Sequence, residues 1–279
     1  AMTLTLQAQE FSGGFRAGLN FARFDGPVET DGNGEEVEEF RQVTGFHIGA
    51  TFNYAITDLF GLRGELVYSQ RGVDYTFEGD SYWVFRTTGG DRVFSTAGQR
   101  STVLDITQSY IDLPLMAYGR VGRFEFSGGV IPSFLISSRG SGEITYSGTT
   151  EGGSVVEPFT AALDFNFFQD NFEEDPTNLR TRNLDGQIVI VPRVLGANFN
   201  DLDEDEDVFA FFDLSLTAGL SFFLNEGLYI GGRFNYGLLD VTREERDVSR
   251  VSLDENRDYI FRDDFDRNIS IQASIGFLF

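Results

Sequence analysis

From Phe11 to Phe279 the chain alternates apolar and polar residues with a period of two, the pattern of strands with one apolar face. Eight segments carry it. The clearest sets Phe212, Leu214, Leu216, Ala218, Leu220 and Phe222 against Asp213, Ser215, Thr217, Gly219 and Ser221. The first sets Phe11, Phe15, Ala17, Leu19 and Phe21 against Ser12, Gly14, Arg16, Gly18 and Asn20. The same alternation runs through residues 46–56, 62–71, 108–117, 124–137, 228–238 and 268–279. Eight antiparallel strands of this kind predict an all-β, up-and-down barrel, because closure removes the unpaired edges.

A barrel turns its apolar face either inward, as a soluble ligand carrier does, or outward against lipid. Connection lengths decide between the two. The links near Thr57-Asp58-Leu59, Val121-Gly122 and Asn225-Glu226-Gly227 are tight, whereas those near 25–39, 78–103, 140–208 and 240–266 are long and polar. Short and long links alternate, so the tight turns share one end of the barrel with both termini. That is the layout of an outer-membrane barrel with periplasmic turns and extracellular loops. Outward Tyr54, Phe124, Phe222 and Phe277 then lie near the turn end, where an aromatic girdle belongs. The 140–208 connection is too long for a structureless loop. Its apolar stretches, 159–168 and 188–195, predict an extracellular hairpin, with a ninth and tenth membrane strand as the alternative. Pro192 and the acidic Glu173-Glu174-Asp175-Pro176 argue for the hairpin.

Composition narrows the chemistry. No apolar run reaches the length of a transmembrane helix. A formal charge of −23 excludes a nucleic-acid partner, because no cation surplus exists to displace phosphate counterions. With no Cys, disulfides, thiolate metal sites and cysteine nucleophiles are all absent. Residues 4–8 resemble the end of an apolar export signal before a small-residue cleavage site. Residues 1–9 are therefore read as a signal remnant or tag, and 10–279 as a single barrel domain with an insert at 140–208.

The residues resemble the PorT-like outer-membrane β-barrel proteins. Tyr110-Ile111-Asp112-Leu113-Pro114-Leu115 is similar to that family's strand of tyrosine, apolar residue, acid, apolar residue, proline and apolar residue. Residues 212–239 resemble its penultimate hairpin, including Arg233-Phe234-Asn235-Tyr236-Gly237, and residues 269–279 its last strand. The resemblance implies an eight-stranded barrel in the bacterial outer membrane. It further implies that the carboxyl-terminal Phe279 is the signal read by the barrel-assembly machinery. The family's namesake is associated with the type IX secretion apparatus.

Parity places Arg16, Arg63, Arg71 and Arg233 in the lumen with Glu65, Asp112, Glu125 and Asp213. Such charges in a narrow lumen must pair, because an unpaired buried charge is costly; Arg63, Glu65 and Asp112 are expected to group together. His47 is the one imidazole, with Ser69 and Glu65 on the neighbouring strand, but it reads as a structural lumen histidine rather than a catalytic base. Asp201, Asp203, Asp205 and Asp207 form the densest acidic run and the candidate site for Ca²⁺ or Mg²⁺, although no calcium-loop glycine accompanies them. Asp31-Gly32-Asn33-Gly34-Glu35-Glu36 carries part of such a loop. The reading is a non-enzymatic outer-membrane barrel with acidic surface loops and a structural or surface-interaction role. Its expected partners are outer-membrane lipid, lipopolysaccharide, the barrel-assembly machinery and other envelope proteins. Three alternatives stand beside it: an accessory part of a type IX-like secretion apparatus, a small channel, and a lipid-modifying enzyme.

Overall fold

The computed structural model describes residues 10–87, 92–168, 179–197, 208–243 and 246–279. Its strands in chain order begin with β1 (Glu10–Asp25), β2 (Glu38–Arg41), β3 (Val43–Ala55), β4 (Phe60–Arg86) and β5 (Arg92–Asp112). Next come β6 (Leu115–Val121), β7 (Phe124–Thr149), β8 (Val155–Asn166), β9 (Leu179–Leu184) and β10 (Gln187–Pro192). The last are β11 (Val194–Leu195), β12 (Phe212–Phe223), β13 (Leu228–Gly237), β14 (Val248–Leu253), β15 (Tyr259–Phe261) and β16 (Arg267–Leu278).

Eight staves close the ring, each antiparallel to its neighbours: β1, β3, β4, the pair β5 and β6, β7, β12, β13 and β16. Closure is made by β16 against β1, from Gly14 opposite Leu278 to Asp25 opposite Arg267. β5 and β6 form one stave broken at Leu113-Pro114, where proline cannot donate to the ladder. Backbone bonds from Leu113 N to the Pro132 carbonyl and from Glu65 N to the Pro114 carbonyl carry the sheet across the break.

The ring's lower part wears its apolar residues outside. Phe15, Ile48, Leu66, Leu216, Ile230 and Ile271 are each about half exposed, and only hydrocarbon accommodates such a surface. Aromatic pairs mark both rims of this band. Phe11 meets Tyr54 and Phe124 meets Phe222 at the turn end, with Phe46 against Tyr68 and Phe134 against Phe212 at the other.

β12, β13 and β16, at 12, 10 and 12 residues, have the length of a tilted membrane strand. β4, β5 and β7 are far longer at 27, 21 and 26 residues and rise beyond the band. Residues 78–103, expected as a polar loop, are therefore mostly strand among the described positions. Along β4 the same inward parity that carries Arg63, Glu65 and Arg71 goes on to Val73, Phe77, Trp83 and Phe85, all buried. The outward positions become polar, with Glu78 and Asp80 exposed. The barrel thus inverts: polar inside and apolar outside within the membrane, apolar inside and polar outside above it.

Of the insert, β8 folds back antiparallel on the upper part of β7, from Arg139 opposite Asn166 to Thr149 opposite Val155. β9 and β10 form a separate hairpin, and the short β11 runs parallel to β8. None of these joins the closed ring. The described insert strands, with Phe24, Trp83, Phe85, Leu104, Tyr146 and Phe159, build a second apolar core above the membrane.

Candidate functional site

Two sites share the barrel axis, one polar and one apolar. In the lumen all eight parity-assigned charges are buried, at 1–8% exposure. Glu65 sits at the hub. Arg233 grips it bidentately, with Nη1 and Nη2 each 2.6 Å from a carboxylate oxygen, and Arg16 Nη1 adds a bond of 3.0 Å. Arg63 pairs with Glu125 at 2.7 Å, and Arg71 pairs with Asp112 at 2.6 Å and lies 3.6 Å from Asp213. The expected grouping of Arg63, Glu65 and Asp112 is replaced by these partners. Residues two apart on a strand point the same way but stand about 6.6–6.8 Å apart, and long arginines reach across the lumen instead. Gly219 makes room for one of them: a Cβ there would lie 2.9 Å from Arg233 Cγ.

Sequence parity put Asn20, Gln272 and Ser274 on the polar face without singling them out. They complete the network. Arg16 Nη2 donates to Gln272 Oε1 at 3.0 Å and to Ser274 Oγ at 2.6 Å. His47 Nε2 lies 3.2 Å from Arg16 Nη2 and 2.9 Å from Ser274 Oγ, and its Nδ1 lies 2.7 Å from Asn20 Oδ1. Because guanidinium nitrogens only donate, Nε2 accepts and Nδ1–H donates to Asn20. Ser69, the neighbour considered as a nucleophile, takes a bond from Asn20 Nδ2 at 3.0 Å. His47 is 1% exposed and committed to its neighbours, an arrangement that holds strands together. Arg120 was also overlooked; it caps Glu125 at 2.9 Å near the turn end. Phe279 is exposed on the outside, its N–H bonded to the Gly13 carbonyl and its ring beside Phe15.

Above the membrane a cavity of about 210 Å³ lies within the apolar core, walled by Phe24, Phe40, Trp83, Leu104 and Ile106 among others. β14 supplies Val248 and Arg250 to its wall. Tyr82 OH donates to the Ser249 carbonyl at 2.7 Å, and Glu29 accepts from Arg250 N at 2.8 Å. Arg100 and Arg250 reach the cavity, as do Glu38, Asp247 and Asp266.

Asp201, Asp203, Asp205 and Asp207 lie outside the described residues. Asp31 accepts from Asn33 N and Glu35 N at 2.8 and 2.9 Å, so its carboxylate closes a hairpin tip. A different acidic group appears beside the cavity, where Asp247, Asp264 and Asp266 bring carboxylate oxygens within 4.8 Å of one another. Arg262 stands among them, 2.5 Å from Asp264, 3.1 Å from Glu38 and 3.7 Å from Asp247. Its guanidinium supplies the positive charge that a cation would bring. Burial, reinforced by a hydrogen bond to Asp264, pushes the Asp247 carboxyl up to about 8. Burial and the Asp264 charge push Asp266 up to about 6.

A raised carboxyl keeps its proton in the fold at a pH where the unfolded chain, with a value of about 4, has lost it. Its stabilisation is full below that value and is lost as pH rises to about 8. The thermal midpoint is therefore expected to fall between pH 5 and pH 8.5, and Asp247→Asn to flatten that fall. An unchanged pH profile of melting in the variant, followed by circular dichroism, would contradict this assignment.

The family model described as "outer membrane protein beta-barrel domain" matches residues 7–243. No curated protein matches the sequence. Among solved structures, the chain is similar to the attachment invasion locus protein Ail of Yersinia pestis, solved with the heparin analogue sucrose octasulfate. The two are 12% identical, with 97% of this chain and 99% of that one covered and a TM-score of 0.35. Neisserial surface protein A is 11% identical, covering 96% and 99%, at a TM-score of 0.34. The outer membrane protease OmpT of Escherichia coli is 10% identical, covering 99% and 98%, at 0.34.

Proposed function

The chain belongs to the outer membrane protein β-barrel domain family and lies in the bacterial outer membrane, and from that premise we propose that it is a non-enzymatic, closed barrel whose working part is the folded extension above the lipid. One observation carries this reading: the inside of the barrel changes from paired charges to a packed apolar core at the outer edge of the membrane band. Eight strands leave an interior that side chains can fill, and the ion pairs around Glu65, Glu125 and Arg71 cross it within the membrane band. A catalytic reading would need an accessible nucleophile and base; His47 is buried and spent on Asn20, Ser274 and Arg16. The extension, by contrast, is built from long strands and an insert that stand beyond the membrane band.

The outer surface carries most of the acidic excess, so lipopolysaccharide contact through Ca²⁺ or Mg²⁺ belongs to the same proposal. Phe279 is proposed as the mark read by the assembly machinery. An accessory role in a type IX-like secretion apparatus is the second reading. It is favoured by the PorT-like strand, whose Tyr110 stacks on Arg71 at 4.6 Å and whose Asp112 pairs with that same arginine. Crosslinking in native outer membranes through exposed Glu78 and Glu143 on the extension, and separately through exposed Glu226 at the turn end, followed by copurification, separates the two readings. A partner recovered through the extension supports surface interaction. Recovery of a secretion assembly through the turn end instead supports the accessory role and counts against the first reading.

A further inference from the structure

Arg100 is the unusual group of the extension. It is 9% exposed, lines the 210 Å³ cavity, and pairs with no carboxylate among the described residues. Its Nε is buried without a hydrogen-bond partner, and its contact is the face of Trp83, 5.6 Å from the ring centroid. Around it stand Tyr75, Tyr82, Tyr146 and a second cation, Arg250. The cavity's acids are engaged elsewhere: Glu38 and Asp247 face Arg262, and Asp266 accepts from Thr242. A buried guanidinium without an anion is costly, and proteins retain one where something else supplies the charge. Burial and the charge of Arg250 press the Arg100 guanidinium down to about 10, the direction expected of a cation lacking its counter-ion.

We infer that the extracellular cavity binds a small organic monoanion, with a carboxylate on Arg100 and an apolar body against Trp83, Leu104 and Ile106. The planar fork of arginine matches a carboxylate in two parallel bonds. The carboxylates of Glu38 and Asp266 on the same wall repel a more highly charged ligand. The size is set by volume, since an apolar cavity of about 150 Å³ holds benzene. A space of about 210 Å³ therefore suits one ring or a short chain with a carboxylate. This inference rests on the extension being the working part of the barrel, but it is read out separately from the closed lumen.

The chain's single tryptophan is Trp83, so intrinsic fluorescence reports on this cavity. Full-length protein in lipid nanodiscs is titrated with 3-phenylpropanoate and, in parallel, with its uncharged amide. The acid is expected to give a saturable change in emission, and the amide to bind at least about tenfold more weakly, as loss of a charge-assisted bond dictates. Arg100→Gln should bring the acid down to the affinity of the amide. Ile106→Phe, which fills the cavity and leaves Arg100 in place, should abolish both responses while the unheated gel mobility stays that of the folded barrel. No saturable change in the wild-type protein, equal binding of acid and amide, or undiminished binding by the Ile106→Phe variant overturns the inference. In each of those cases a silent lumen would leave the closed-barrel reading standing.

Discussion

Replacing Glu65 with Ala is expected to lower the unfolding free energy by at least about 3–5 kcal/mol, the cost of breaking one buried ion pair. Glu65 holds two arginines, so the loss leaves both Arg16 and Arg233 without their carboxylate in the lumen. Both arginines are buried, at 3% and 8% exposure. The contrast is Arg41→Ala, which removes a pair with Glu39 in which both side chains are more than half exposed; exposed pairs contribute less than about 1 kcal/mol. Urea titration in lipid vesicles, with the folded fraction read from unheated gel mobility, measures both. Equal effects at Glu65 and Arg41 would contradict the hub.

The second large effect concerns the outer face. Leu216 is 48% exposed and lies midway along β12, between the aromatic rims at Phe212 and Phe222. Leu216→Arg is expected to cost about 2–4 kcal/mol, the price of a cation near the bilayer midplane. Glu143 also points outward, but on β7 above the band, where it is exposed beside Ser141 and Thr145. Glu143→Arg there is expected to change stability by less than about 0.5 kcal/mol. The same titration serves both variants. A similar cost at the two positions would mean that the apolar band does not end where the barrel inverts.

Much of this was legible in the chain. Alternation set the eight staves and their facing, because a strand's period of two leaves no freedom once one face meets lipid. It placed Arg16, Arg63, Glu65, Arg71, Asp112, Glu125, Asp213 and Arg233 inside. The partners of those charges were not legible, since they depend on the shear of the closed barrel. Glu65 on β4 meets Arg16 on β1 and Arg233 on β13, staves that do not neighbour it in the sheet. The extension was missed for a different reason. Its outward Glu78 and Asp80 made residues 78–103 look like loop, while Val73, Phe77, Trp83 and Phe85 kept the inward parity of the stave below. A search for apolar-out strands passes over a stretch in which the same alternation has changed sign. Arg100, the group that sets the cavity's chemistry, lies within that stretch.

On the proposed reading the lumen is shut by its own side chains and function resides above the membrane. Conductance of the purified monomer across a planar lipid bilayer tests it most directly. The ion pairs of Glu65, Glu125 and Arg71 predict no steady current at any applied voltage the bilayer withstands. A stable, ion-selective conductance through the wild-type monomer would contradict the account and make the barrel a channel.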